Sequence, residues 1–325
     1  MISISTDNLY MWLVIVFLIL IKVYNIWITT PCTCKTRMDG KTVIVTGSNT
    51  GIGKETARDL ARRGARVILA CRNLEKAKEA RDDIIQSTGN NKVEIRELDL
   101  SSLSSVRTFA KGIVESEPKL DVLINNAGLG GIKKTSTVDN FEMTFQVNHL
   151  GPFLLTCLLL DLLKKSAPSR IVIVSSWLHS AAVVDFDNLF GDKWYISVHQ
   201  YCISKLANVL TTKELAAKLE GTGLPCSCFM SKLFQIYVYK ISRILLLCCL
   251  SRSRIRGTIF EDVVEGSQTS IHVAVSKKLE GVSGKYFREC KESSPSKSAL
   301  DKELAKRMWE RSEILVGLKP EEKHY

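Results

Sequence analysis

Apolar residues follow three different patterns along the chain. From Leu9 to Ile28 they are almost continuous: LYMWLVIVFLILIKVYNIWI is twenty residues long and holds a single charge, Lys22, and a single Asn, Asn25. That is the length of a membrane span, and Trp12, Tyr24 and Trp27 stand near its ends, where aromatic belts form. From Lys41 onward, short β-branched runs alternate with amphipathic segments. Lys41–Thr46, Arg66–Ala70, Lys92–Leu98, Asp121–Asn125 and Arg170–Ser175 each predict a buried strand. Lys54–Arg63, Asn73–Gln86, Ser101–Glu115 and Val138–Lys165 predict the helices between them, with Ser101, Ser102 and Ser104 available to cap the third. Strands joined by helical crossovers build a parallel sheet covered on both faces. The expected fold is α/β: a Rossmann-type doubly wound parallel sheet, one domain behind an N-terminal transmembrane helix.

The third pattern begins after a helix-compatible stretch, Gln200–Leu219. Leu224–Phe229 is a weak strand, and an apolar segment with a basic fringe follows: Lys232, Lys240, Arg243, Arg252, Arg254 and Arg256. Its longest apolar run, Ile244–Leu250, is too short for a second span. It suits either a helix lying on a membrane surface or a wall of a substrate cavity. Beyond it, Glu265–Val275 predicts a helix, Ser283–Phe287 a last strand, Lys291–Lys297 a polar loop and Ser298–Leu315 an amphipathic surface helix. The expected organisation is an anchor over 1–30 and a Rossmann-type domain over 38–320, with 230–256 as an atypical apolar and basic segment.

Composition narrows the class. With 45% hydrophobic and 24% charged residues, 19 Gly and 7 Pro, the 325-residue chain is neither disordered nor collagen-like. Its net charge of +11 includes no block of five basic residues and no zinc-finger or RNA-binding signature, so nucleic acid is not an expected partner. A membrane surface is. Lys35, Arg37 and Lys41 follow the apolar run, whereas its N-terminal flank carries only Asp7. The positive-inside rule then leaves an uncleaved single-pass anchor with the domain in the cytosol. Ten cysteines in that compartment are expected to be free. Cys32/Cys34 and Cys226/Cys228 form CxC pairs without a matching histidine cluster, so no metal site is expected.

Candidate chemistry starts at the first strand-to-helix turn, Thr46-Gly47-Ser48-Asn49-Thr50-Gly51-Ile52-Gly53. Glycines there let the backbone approach a pyrophosphate, and the helix N-terminus offers it unpaired N–H groups. The second strand ends Ala70-Cys71-Arg72-Asn73, with no acid at the tip. An acid would bind the ribose hydroxyls of NAD, whereas Arg72 suits the 2′-phosphate of NADP.

These residues resemble the short-chain dehydrogenase/reductase family. Thr46–Gly53 match its TGxxxGxG turn, Asn125-Asn126-Ala127-Gly128 its NNAG element, and Asn148 its catalytic Asn. Ser175-Ser176 stand where the family keeps its catalytic Ser, Ser176 being the better choice, and Tyr201-Cys202-Ile203-Ser204-Lys205 match YxxxK. The resemblance covers about 41–229 well and 265–317 more loosely. The anchor, LACRN after the second strand, NHLGPFLLTCLLLDLLKKSAPSRIVIVSS and YCISKLANVLTTKELAAKLEGTG are similar to the membrane-anchored retinol dehydrogenase group.

The resemblance implies an NADP (NADPH)-dependent oxidoreductase that interconverts a hydrophobic alcohol, retinol-like, and its aldehyde or ketone. It also implies an endoplasmic reticulum membrane, with membrane lipid and a lipophilic small molecule as partners. A homodimer through the active-site helices stays open. Catalytic candidates are Asn148, Ser176, Tyr201 and Lys205. Cofactor candidates are Gly47, Ser48, Asn49, Thr50, Gly51, Ile52, Gly53, Arg72, Asp99, Leu100, Asn126, Ala127 and Gly128, with Tyr201 and Lys205 again.

Hydride chemistry needs a proton donor for the developing alkoxide, and a phenol serves when a neighbouring ammonium lowers its pKa from about 10. Tyr201 and Lys205, four apart, share one helix face. Ser176 would hold the substrate oxygen and Asn148 a water leading from Lys205 to solvent. His149 and His179 read as structural or pocket-lining, and His199 projects differently from the helix start.

One family element is missing. Where a PG turn should follow the sixth strand and contact the nicotinamide carboxamide, the chain has Met230-Ser231-Lys232, and PG occurs nowhere. Either an altered transcript or gene model has deleted it, or a true variant replaces it. The alternative function is therefore a membrane-bound dinucleotide-binding protein with impaired or no catalysis.

Overall fold

The computed structural model describes residues 31–221, 226–231 and 263–325, the strand 226–231 by its backbone only. The apolar run 9–28 and the basic-fringed segment 232–256 lie outside the described residues, and so does the anchor expected there.

Eight strands form one sheet: β1 (Thr42–Thr46), β2 (Arg66–Cys71), β3 (Val93–Glu97), β4 (Val122–Asn125), β5 (Arg170–Ser176), β6 (Cys226–Ser231), β7 (Tyr286–Arg288) and β8 (Lys291–Ser293). Their order is β3-β2-β1-β4-β5-β6-β7-β8. The first seven pair in parallel and β8 closes the edge as an antiparallel hairpin with β7. This is the doubly wound fold expected, and it reverses direction between β1 and β4, where such sheets bind ligands. β1 and β4 are buried at every position, because helices cover both faces. Two apolar clusters fill the space, one on each side of the sheet.

Seven helices matter: α1 (Gly51–Arg62), α2 (Leu74–Thr88), α3 (Leu103–Ser116), α4 (Met143–Lys165), α5 (Ser197–Lys218), α6 (Val263–Val275) and α7 (Lys302–Leu315). Among the described residues only α4 is long and apolar enough to cross a membrane, but 89% of its most apolar window is buried inside the fold. It is a core helix, packed against the sheet and α3. Its start is later than Val138, because Thr137–Glu142 form a turn in which Thr137 N donates to Phe141 O at 2.8 Å. The Glu142 carboxylate then caps the helix by accepting from Phe145 N at 2.7 Å.

One C-terminal expectation changes. Lys291–Ser293 is a strand rather than loop. α7 is the amphipathic surface helix expected, exposed along one face and buried along the other. Trp309 packs edge-on against Phe153 with ring centroids 4.8 Å apart, and Ser312 Oγ meets His149 Nε2 at 2.8 Å.

Candidate active site

The glycine-rich turn is stitched to the end of β4. Thr46 Oγ1 accepts from the backbone N–H groups of Asn126 and Ala127, both at 3.0 Å, and Asn126 Nδ2 donates to Thr46 O at 2.9 Å. The fit leaves no room for a side chain at Gly53, where a Cβ would stand 2.3 Å from Asn126 Nδ2. Gly47 adopts φ of +64°, and a Cβ there would meet Ala127 at 2.9 Å. Ser48 turns inward: its hydroxyl is fully buried and donates to Val45 O at 2.8 Å, so it braces the turn instead of lining a cleft.

Above the turn lies a cleft of about 460 Å³ lined by Gly47, Asn49–Gly53, Arg72, Asp99, Leu100 and Asn126–Gly128. The start of α1 faces it. Asn73, Ser102 and Asp301 cap α2, α3 and α7 with their side chains, but Thr50 makes no such bond at α1, whose first turn holds no acid. The first N–H groups of α1 and its positive dipole end are left for a ligand, and they favour an anion. The cradle therefore fits a dinucleotide pyrophosphate.

At the far wall Arg72 is 64% exposed and its guanidinium lies 3.9 Å from Asp99, a loose pair. Asn73 and Lys76 also line this wall, which the sequence reading missed. The signal was present: a capping Asn followed three residues later by Lys puts that lysine in the first turn of α2, beside Arg72.

The other end of the cleft is buried and interlocked. Tyr201 and Lys205 sit on α5 with 7% and 1% of their surface exposed, the Lys205 ammonium 5.6 Å from the centre of the Tyr201 ring. Lys205 Nζ donates to Val174 O at 3.1 Å, two residues before Ser176, which ends β5. Ser176 Oγ accepts from Leu178 N at 3.3 Å, whereas Ser175 Oγ points the other way and donates to Lys205 O at 2.8 Å. Asn148 lies in a π-helical turn, Gln146–Leu150, a local widening of α4 that often marks functional sites. Its side chain grips the backbone of Leu129 twice, Oδ1 accepting from N and Nδ2 donating to O at 2.8 Å each, and Nδ2 also donates to Ser204 Oγ at 3.0 Å. A Cβ on Gly128 would lie 3.2 Å from Lys205 Nζ and 3.3 Å from Asn148 Oδ1, and one on Gly130 only 2.6 Å from the Tyr201 ring. The segment after β4 thus meets Asn148, Tyr201 and Lys205 at van der Waals distance.

The histidines are elsewhere engaged. His149 is fully buried between Asn208 and Ser312, and burial lowers its pKa to about 4, so it stays neutral. His179 Nδ1 meets Ser176 O at 2.7 Å, its Nε2 accepts from Ser296 N at 3.1 Å, and burial lowers its pKa as well. His199 stacks against Trp194 at 4.8 Å. Where PG was expected, β6 simply continues: Met230 and Ser231 pair with Ser175 and Ser176, extending the strand beyond Phe229.

Residues 41–235 match the family model described as short chain dehydrogenase. The chain is 47% identical to human (Homo sapiens) retinol dehydrogenase 13 over 292 residues, covering 88% of each. It is 46% identical to mouse (Mus musculus) retinol dehydrogenase 12 over 287 residues, covering 88% of this chain and 90% of that one. A crystal structure of an uncharacterised protein from Mycobacterium Paratuberculosis shares 31% identity and superposes with a TM-score of 0.71, covering 89% of this chain and 98% of that one.

Proposed function

The chain belongs to the short-chain dehydrogenase/reductase family, within its retinol dehydrogenase group, and on that premise we propose that it is an NADP-dependent oxidoreductase interconverting retinol-like alcohols and their aldehydes. The observation that carries the reading is the convergence of Tyr201, Lys205 and Asn148 on the segment that closes the dinucleotide cleft. NADPH bound in that cleft supplies the hydride. Every other contribution comes from the protein. Gly47–Gly53 and the start of α1 hold the pyrophosphate, and Arg72 with Lys76 faces the 2′-phosphate. The Tyr201 hydroxyl protonates the oxygen that becomes alkoxide during reduction and takes the proton back during oxidation. The Lys205 ammonium stabilises the phenolate so formed. Ser176 hydrogen-bonds the substrate oxygen, and Asn148 holds the water that passes protons between Lys205 and solvent. The run 9–28 anchors the protein in a membrane, endoplasmic reticulum being the expected one, with the domain on the cytosolic side, where lipophilic substrates partition.

A second reading rests on β6. Its continuation through Met230–Ser231 replaces the turn that would contact the nicotinamide, so the cofactor could bind without a productive hydride geometry. Reduction of all-trans-retinal by NADPH, assayed on the detergent-solubilised full chain beside a panel of lipid aldehydes, separates the two. Turnover with retinal supports the first reading. NADPH binding without turnover on any aldehyde replaces it with the second.

A further inference from the structure

Outside the cleft, the described residues hold one concentrated set of soft ligands. Cys32, Cys34 and His272 bring two sulfurs and one ring nitrogen within 4.8 Å of one another. The sequence hides this, because 238 residues separate Cys34 from His272. Cys32 and Cys34, two apart in an extended segment, point to the same side, and Gln268 and His272, four apart on α6, share the face that meets them.

The backbone there is held in place. Cys32 N donates to Gln268 Oε1 at 3.0 Å, while Arg63 Nη1 donates to Cys34 O at 2.6 Å and to Thr36 O at 3.0 Å. The Cys34 sulfur stands 3.5 Å from His272 Nδ1. A tetrahedral zinc, with a sulfur at about 2.3 Å and a nitrogen at about 2.0 Å, needs those two atoms about 3.5 Å apart. All three side chains are half-buried, and the two cysteines, with Leu279 and Val282, pack against the apolar cluster on that side of the sheet.

We infer that Cys32, Cys34 and His272 form a structural zinc site that clamps the segment following residue 30 onto α6. Two thiolates and a neutral imidazole around Zn²⁺ give a site of zero net charge, which suits a half-buried place better than a charged one. On binding, two S–H bonds break, their protons go to solvent and two Zn–S bonds form with no change of oxidation state. The fourth position is open to water. The clamp would fasten the chain to the domain directly after its longest apolar run, so that binding energy for the metal becomes stability of that junction.

The test is metal analysis of the full-length chain, purified in detergent without chelators or metal-affinity resin. About one zinc per chain is expected, falling at least about tenfold in Cys34→Ser and in His272→Ala. Wild-type protein stripped by chelator and titrated with Co²⁺ gives a second readout that needs no variant: a thiolate-to-cobalt charge-transfer band in the near ultraviolet. The band should appear in wild type and be lost on adding excess Zn²⁺. Wild-type protein with no zinc and no cobalt band overturns the site. So does recovery of Cys32 or Cys34 in a disulfide, with each other or with Cys290, after anaerobic purification.

Discussion

The two ends of the cleft are built on opposite principles. At the Tyr201 end, Tyr201, Lys205 and Asn148 are buried, and the Asn148 side chain makes two hydrogen bonds to the loop after β4 and a third to Ser204 on α5. At the Arg72 end, Arg72 and Lys76 stand in solvent, and Arg72 is held by a loose contact to Asp99. A buried network holds positions to a fraction of an ångström but ties chemistry to stability. An exposed cation reads a ligand's charge at little structural cost, and its contribution is reduced by screening. Changes at the Tyr201 end should therefore alter turnover and folding together, whereas changes at the Arg72 end should alter cofactor choice alone.

The largest effect is expected from Lys205→Met. Removing the ammonium beside the phenol should lower kcat by about 10²–10⁴, measured as NADPH-dependent aldehyde reduction. An unchanged rate would take Lys205 out of proton handling. Asn148→Ala comes next, since it leaves the Leu129 N–H and C=O without their side-chain partners. A loss of about 1–3 kcal/mol in denaturant unfolding is expected, along with reduced turnover. If stability stays at the wild-type value, the interlocked description of this end is wrong.

Arg72→Asp should weaken NADPH binding by about tenfold or more while leaving NADH binding and unfolding midpoints near wild type. Equal losses for both cofactors would mean that Arg72 does not face the 2′-phosphate. A further effect is in pH dependence. His149 has its pKa lowered in the folded state to about 4, below the ordinary value of 6.5. The unfolded chain therefore binds the extra proton first, so stability is full above pH 6.5 and declines as pH falls from 6.5 toward 4. His149→Gln should flatten that part of the stability profile, and an unaltered slope would assign it to other groups.

The cofactor half was legible because each signal is local. A glycine turn between a strand and a helix, and an Asn before a helix, are contiguous in sequence, and Arg66–Cys71 and Leu74–Thr88 form within two residues of their expected bounds. What sequence left obscure depends on distant partners. Met143–Lys165 has membrane length but is buried, a fact set by the sheet and by α3. Residues 298–315 read as an amphipathic surface helix, but nothing in their spacing says that Trp309 will meet Phe153. Ser48 shares the glycine turn with its neighbours, yet its side chain turns away from the cleft to Val45. Lys291–Ser293 forms a strand only because β7 is there to pair with it.

The most direct test compares NADPH binding and single-turnover reduction of all-trans-retinal in wild type and Tyr201→Phe. The account predicts nearly equal NADPH affinity in the two proteins and hydride transfer slowed by about 10²–10⁴ in the variant. Equal transfer rates, or a variant that no longer binds NADPH, would contradict the division of labour between the two ends of the cleft.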